Sequence, residues 1–175
     1  DEGRDVRQVA IVDSKGRVAT HTGSKCIDMA GHRQGNQFSV QANMMLRATV
    51  PDAMAKAFEA SARLPLAERL LAALDAAQAQ GGDIRGRQSA ALLVVRGKAT
   101  ATPWEDRLID LRVDDSAEPL RELGRLLRLH RAYEHMNAGD LAVEKNDVPG
   151  AIREYEAAEK LFPENLEMKY WHAIS

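Results

Sequence analysis

The sequence predicts an α+β fold followed by an α-helical hairpin, and two observations support this. Short β-rich runs come first, then two amphipathic helices, then two more strands, and from Glu118 onward only helical patterns follow. This order is typical of an antiparallel sheet with helices packed on one face. The 175 residues suffice for one domain and a small appendage. We therefore expect a mixed domain over residues 1–131 and a truncated helical segment over residues 132–175.

The first strands form a predicted β-hairpin. Arg7–Asp13 is a β-rich run, Ser14–Gly16 is a turn with a flexible glycine, and Arg17–Thr22 is the return strand. The glycine-rich stretch Gly23–Gly35 is predicted to be a loop. Gln37–Gln41 alternates polar and apolar residues, which predicts a third strand.

The hydrophobic period then changes to that of helices. A helix begins at Pro51, and a second begins after Pro65 and ends at Gly81-Gly82. Ala90–Val95 is apolar at every position, which predicts a central strand buried on both faces. In Arg107–Val113 one face carries Leu108, Asp110 and Arg112 and the other carries the apolar Ile109, Leu111 and Val113, as expected of a half-buried strand.

The C-terminal part fits one unit of a helical repeat. Small, aromatic and proline residues occupy the positions that are typical of one tetratricopeptide unit, namely Gly139, Ala151, Tyr155, Ala158 and Pro163. Small residues let two antiparallel helices approach closely, and Asn146-Asp147 supplies the turn between them. The alternative is a plain helical hairpin that caps the domain. A repeat array commonly binds a protein partner or forms an oligomer contact.

Composition excludes several classes of function. The net charge of −2 and the isoelectric point near 6.2 argue against a nucleic-acid surface. No apolar run approaches the roughly 18 residues of a membrane span. The single cysteine, Cys26, excludes an internal disulfide and favours a reducing, cytoplasmic compartment. No cofactor is expected, and an export signal cannot be assessed because the native N-terminus is expected to lie outside this chain.

The first polar loop, His21 to His32, allows three interpretations. His21, Cys26 and His32 are residue types that bind zinc. Cys26 could instead be a nucleophile with His32 as its base. The third interpretation is a glycine-rich loop held by its own hydrogen bonds, with Cys26 as a small buried residue.

The second polar loop places five polar side chains just before a strand: Asp83, Arg85, Arg87, Gln88 and Ser89. Arginines near the end of a sheet can bind a carboxylate through two parallel hydrogen bonds. The loop is therefore a candidate substrate site. The alternative is structural, with Asp83 capping the loop and pairing with an arginine in the absence of any substrate.

Asn43, at the end of the third predicted strand, has two interpretations. Its side-chain amide could donate a hydrogen bond to an oxyanion. It could equally close a turn.

Taken together, these segments resemble the DUF1028 family. The residues that carry the resemblance are Arg7–Asp13, Thr22–Cys26, Ala30–His32, Phe38–Gln41, Asn43-Met44, Leu64–Leu71, Gly81–Asp83, Arg85–Ala90 and Leu111–Asp115. The resemblance implies an N-terminal-nucleophile (Ntn) hydrolase-like fold, a sandwich of two antiparallel sheets between helical layers. It is incomplete here, because the family's first strands would precede Asp1. Ala42 stands where the family pattern has glycine.

That fold implies amide-bond hydrolysis by a Thr, Ser or Cys at a chain N-terminus, with its own α-amine as base. Asp1 has neither a hydroxyl nor a thiol, so the nucleophile is expected outside this chain. The family has no firmly assigned reaction. We expect a hydrolase of a small amide or peptide-like substrate, with Asn43 as oxyanion donor. The substrate would be bound by Asp83, Arg85, Arg87, Gln88, Ser89 and His32.

The alternative is a non-catalytic binding protein, in which a hydrolase-like core is joined to a partner-binding helical repeat. A homo-oligomer is expected in either case.

Overall fold

The computed structural model describes residues 1–174 and divides into two compact units, Asp1–Leu120 and a second that begins at Arg121. The elements are β1 Gln8–Val12, β2 Val18–Thr22, β3 Gly31–Gly35, β4 Phe38–Ala42, α1 Val50–Ala60, α2 Leu66–Ala79, β5 Ala90–Val95, β6 Arg107–Val113, α3 Pro119–Glu144, α4 Val148–Leu161 and α5 Leu166–Ile174. The predicted α+β class is confirmed. The helix α3 runs without a break through the predicted boundary at residue 131, and that boundary stays a prediction.

Two antiparallel hairpins form the first part of the unit. In the first, β1 pairs with β2 so that Gln8 lies opposite Thr22. In the second, β3 pairs with β4, and His32 lies opposite Gln41. The predicted β1–β2 hairpin and the predicted strand at β4 are confirmed.

The prediction of a loop over Gly23–Gly35 is wrong in its last part, because Gly31–Gly35 is the strand β3. This segment contains no β-branched or apolar residue, so neither strand propensity nor alternation marks it. A tight turn joins it to β4, and Gln37 in that turn has a φ of 64°. Pairing with β4 and contacts to β2, rather than local preference, make this segment a strand.

The strands β5 and β6 form a third antiparallel pair. The predicted half-buried character of β6 is confirmed, since Ile109 and Val113 are buried and Leu108 is exposed. The prediction that β5 is buried on both faces is wrong. Leu92 is 4% exposed, whereas Leu93 is 56% exposed, because β5 packs on α2 through one face and has only β6 as a paired neighbour among the described residues.

The helices α1 and α2 pack against each other and, on the sheet side, against β3, β4 and β5. Phe58 of α1 is the centre of this packing. Its ring centroid lies 4.6 Å from that of Phe38, and the guanidinium carbon of Arg69 lies 3.8 Å from the Phe58 ring centroid. Both predicted helices are confirmed, and α2 ends where Gly81 and Gly82 take positive φ values of 107° and 65°.

The second unit has its own core, formed by the buried residues Ala132, Met136, Ala151, Tyr155, Ala158, Phe162 and Met168. The predicted turn at Asn146-Asp147 is confirmed. Asn146 has a φ of 58°, and the Asp147 side chain caps α4 by accepting a hydrogen bond from the Gly150 backbone N–H at 3.0 Å. The residues predicted to form the seam between the helices, Gly139, Ala151, Tyr155 and Ala158, do lie in this core or against it.

Among residues 1–174, no helix is both long enough and apolar enough to cross a membrane.

Candidate functional site

The five polar residues of the second loop line a single groove of about 710 Å³ in the first unit. The rest of the lining comes from α2, from the segment after β4, from glycines of the second loop, from the segment after β6 and from the start of α3, and comprises Met45, Leu74, Ala77, Gln78, Gly82, Gly86, Asp115, Pro119 and Leu120. The groove therefore combines apolar and polar side chains. Such a combination is typical of sites for small organic ligands.

Backbone hydrogen bonds fix this loop to the segment after β4. The Ile84 N–H donates to the Met44 carbonyl at 2.9 Å, and the Leu46 N–H donates to the Gly82 carbonyl at 2.9 Å. Residue 81 has room only for glycine, because a Cβ there would lie 2.6 Å from a methyl carbon of Leu46. The polar loop is thus held by strand-like pairing on one side, and its exposed side chains project from an anchored backbone.

Asp83 and Arg85, which both line the groove, form a tight ion pair. The Arg85 Nη2 lies 2.7 Å from Asp83 Oδ2, and both the Arg85 Nε and its backbone N–H donate to Asp83 Oδ1. The hydrogen bonds from the Arg85 side chain and backbone lower the pKa of the Asp83 carboxyl to about 2. Asp83 is consequently ionised throughout the neutral range, and it orients the Arg85 guanidinium.

Arg87, which lines the groove, pairs with Glu118, which does not. Its Nη1 lies 2.8 Å from both carboxylate oxygens of Glu118. The Gln88 carbonyl accepts a hydrogen bond from the Ser116 N–H at 2.8 Å. These bonds join the second loop to the residues before α3, and Glu118, as the partner of Arg87, is a residue that sequence reasoning missed.

The two arginines give this groove its chemistry. Both guanidinium groups are more than a third exposed, so a ligand can reach them from solvent. A carboxylate on a ligand could replace Glu118 or share Arg87 with it, because a guanidinium offers several N–H donors in one plane. The arrangement favours a small ligand with one anionic group and an apolar part.

A second polar cluster lies between the two hairpins and contains the remaining predicted residues, Asn43 and His32. The Asn43 Nδ2 donates to Gln8 Oε1 at 2.7 Å, and the Gln8 Nε2 lies 3.1 Å from Thr22 Oγ1. Thr22 Oγ1 lies 2.8 Å from His32 Nδ1. Neither Asn43 nor His32 is among the residues that line the groove.

The three residues of the zinc interpretation have separate partners. His21 Nε2 lies 2.8 Å from the Arg4 carbonyl oxygen, and Cys26 Sγ lies 3.6 Å from that of Arg7. In the described part of the chain, no three His, Cys, Asp or Glu side chains form a group that could hold a metal ion. His32 pairs with Thr22, so the structure also gives no support to His32 as the base of Cys26.

Two members of this cluster, Gln8 and Thr22, were missed by sequence reasoning. A signal for them existed in the alternation of β2, which places Thr20 and Thr22 on one face. Recognition of β3 as a strand would have placed Gln34 and His32 opposite them. Without β3 the pairing could not be predicted.

Comparison with known proteins identifies the family of this chain. A model of DUF1028, a family of unknown function, matches residues 1–123, which is more than half of the chain. The chain belongs to the DUF1028 family. The predicted resemblance is confirmed to that extent, and no curated protein matches the chain.

A solved relative supports the same assignment. The crystal structure of protein SPO2555 from Silicibacter pomeroyi, a DUF1028 protein, superimposes with a TM-score of 0.60 and 34% sequence identity. The match covers 73% of this chain and 54% of that one, so the chain spans about half the length of this DUF1028 relative. Residues 1–123 therefore share the architecture of a DUF1028 domain.

Proposed function

We propose that this DUF1028 chain carries the substrate-binding part of an amide-bond hydrolase of the Ntn type. The observation that carries the proposal is the convergence of Asp83, Arg85, Arg87, Gln88 and Ser89 on one groove. The family resemblance supplies the reaction class, and the nucleophile is assigned to a Thr, Ser or Cys outside this chain. The substrate is a small amide or peptide-like molecule with a carboxylate.

The carboxylate is the part of the substrate that the groove recognises. Arg87 already holds a carboxylate, that of Glu118, through one nitrogen at 2.8 Å. Its remaining N–H groups can donate to a second anion, because the Arg87 side chain is 44% exposed. Leu74, Ala77 and Leu120 would contact the apolar part of the substrate.

Exposed apolar strands support the sandwich architecture that the proposal includes. Val9 and Ile11 of β1 and Leu93 and Val95 of β5 are all exposed, although strands of this composition are normally covered. In a complete Ntn sandwich, additional strands and a second layer would cover these faces. The additional strands and the second layer of the proposed sandwich would therefore pack against these exposed side chains.

Ligand binding tests this proposal most simply. Calorimetric titration of the full-length gene product with N-acylated amino acids and their amides would be compared between wild type and Arg87→Ala. We expect binding of the carboxylate form, with a loss of at least about tenfold in Arg87→Ala. The matched control is Arg107→Ala, since Arg107 is also an exposed arginine paired with a carboxylate, that of Asp110 at 2.9 Å, but lies outside the groove. Unchanged affinity in Arg87→Ala would contradict the assignment.

A second function is supported by an observation in the helical unit. Gly139 lets α3 and α4 approach at the ring of Tyr155, as the tetratricopeptide pattern requires. Several large apolar side chains of this unit are exposed, among them Leu141, Val143 and Leu166. We propose that these helices form a tetratricopeptide-like repeat that binds a protein, either a partner or a second copy of the chain. Light scattering compares the molar masses of wild type and Leu166→Asp. If the partner is a second copy of the chain, the Leu166→Asp variant should have the lower molar mass.

A further inference from the structure

The polar cluster between the two hairpins is a continuous chain of hydrogen bonds from Asn43 through Gln8 and Thr22 to His32. The orientation of the Gln8 amide is fixed by its surroundings. Its Nε2 faces two backbone carbonyls, that of Ala42 at 3.0 Å and that of Gly31 at 3.3 Å, and its Oε1 faces the Asn43 Nδ2 at 2.7 Å. Nε2 must therefore be the donor to Thr22 Oγ1, at 3.1 Å.

Thr22 Oγ1 lies 2.8 Å from His32 Nδ1, within hydrogen-bond reach. In the neutral tautomer that carries its proton on Nε2, the Nδ1 atom accepts the Thr22 hydroxyl proton. In that tautomer all the bonds donate in one direction, from Asn43 through Gln8 and Thr22 to His32, and such a chain polarises the Thr22 hydroxyl.

We infer that Thr22 is a nucleophile toward activated acyl groups, with His32 as its general base. A hydroxyl within hydrogen-bond reach of an unprotonated imidazole nitrogen is the arrangement that activates serine and threonine nucleophiles. Both residues are half-buried, so solvent and a small ester can reach them. The inference does not depend on the groove or on an N-terminal nucleophile elsewhere.

Acylation of Thr22 needs only the ester and the Thr22–His32 pair. Thr22 Oγ attacks the carbonyl carbon of an ester, a C–O bond forms, and the hydroxyl proton moves to His32 Nδ1. Collapse of the tetrahedral adduct breaks the bond to the leaving alcohol, which departs with the electron pair and receives the proton from His32. The product is an acyl ester on Thr22, which water later hydrolyses with His32 again as the base.

The strand β2 offers a matched control for this pair. Thr20 lies on the same face as Thr22, and its Oγ1 accepts from the Gln34 Nε2 on β3 at 2.5 Å. Thr20 thus has the same residue type, the same strand and the same half-buried setting. It differs in having an amide donor where Thr22 has a base, so Thr20 should not be activated.

The test is acetylation by p-nitrophenyl acetate, followed by intact mass and by fragmentation of the labelled peptide. We expect acetyl at Thr22 and none at Thr20. Thr22→Val should abolish the label, Thr22→Ser should retain it, and His32→Gln should slow it about 100-fold. Equal labelling of Thr20 and Thr22, no label at Thr22, or an unchanged rate in His32→Gln would each overturn the inference. Since labelling uses no groove ligand, its failure is distinct from a failure of the binding experiment with Arg87→Ala.

Discussion

Gly139 lies directly against the ring of Tyr155, and a Cβ added to Gly139 would come 2.5 Å from the Tyr155 Cε1. This separation is too short for two carbon atoms, so the helices α3 and α4 can meet here only because residue 139 is glycine. Tyr155 is 2% exposed and cannot move into solvent without opening the core of the helical unit. The pair therefore determines how closely the two helices approach.

Substitution of Gly139 tests this contact. Gly139→Ala should destabilise the protein by about 1–3 kcal/mol through overpacking, which outweighs the gain of about 1 kcal/mol in helix propensity. Asn137→Ala is the control, because Asn137 is exposed on the same helix and gains propensity without a clash. Urea unfolding followed by circular dichroism measures both. A stabilised Gly139→Ala would show that the helices are not in close contact.

The Tyr155 hydroxyl predicts an alkaline limit to stability. It donates to Asp140 Oδ1 at 2.7 Å, and burial together with this hydrogen bond raises the pKa of Tyr155 to about 12. Because the folded pKa lies above the ordinary value of 10.0, the stabilisation is complete below about pH 10 and is lost as the pH rises toward 12. Tyr155→Phe should be about 1 kcal/mol less stable at neutral pH. Thermal unfolding of both proteins from about pH 8 upward should show the difference shrinking, and a constant difference would contradict it.

Asp83 predicts the opposite dependence in acid. Its folded pKa of about 2 lies below the ordinary 3.8, so its contribution is present above about pH 4 and is lost as the pH falls toward 2. Asp83→Asn should therefore be less stable than wild type at pH 6, and the two should converge in acid. Asp114→Asn is the control, since Asp114 is mostly exposed and pairs with Arg112 at 2.9 Å outside the groove. Parallel curves for wild type and Asp83→Asn would contradict the role of the Arg85 pair.

Gln8 should be the most important polar residue between the two hairpins. Gln8→Leu leaves the Ala42 carbonyl and the Asn43 amide without this partner and should cost about 2 kcal/mol. Gln34→Leu removes one exposed hydrogen bond, to Thr20, and should cost clearly less. Chemical denaturation ranks the two variants. A Gln8→Leu variant as stable as Gln34→Leu would show that the cluster contributes little to stability.

Local sequence determined most of the fold and one part of the candidate site. Hairpin β1–β2, strand β4 and helices α1 and α2 have clear periodicity or turn residues, and the groove loop has five polar residues among the seven positions from Asp83 to Ser89. Other features depend on distant contacts. Gln8 and Asn43 are separated by 35 positions, and Arg87 and Glu118 by 31, so no local pattern pairs them.

The exposed face of β5 has a different cause. The uniformly apolar composition of Ala90–Val95 predicted cover on both faces. The described residues provide cover on one face only, through α2, so Leu93 and Val95 remain exposed. Composition reports what a strand prefers, whereas burial depends on which elements are present to pack against it.

The mature N-terminus of the full-length gene product tests the proposed Ntn hydrolase most directly. Intact mass and N-terminal sequencing would establish which residue carries the free α-amine. The account predicts a Thr, Ser or Cys, because the reaction needs a hydroxyl or thiol beside its own amine. An unprocessed Met, or a terminal residue without a nucleophilic side chain, would contradict the hydrolase and favour a binding protein built on a DUF1028 domain.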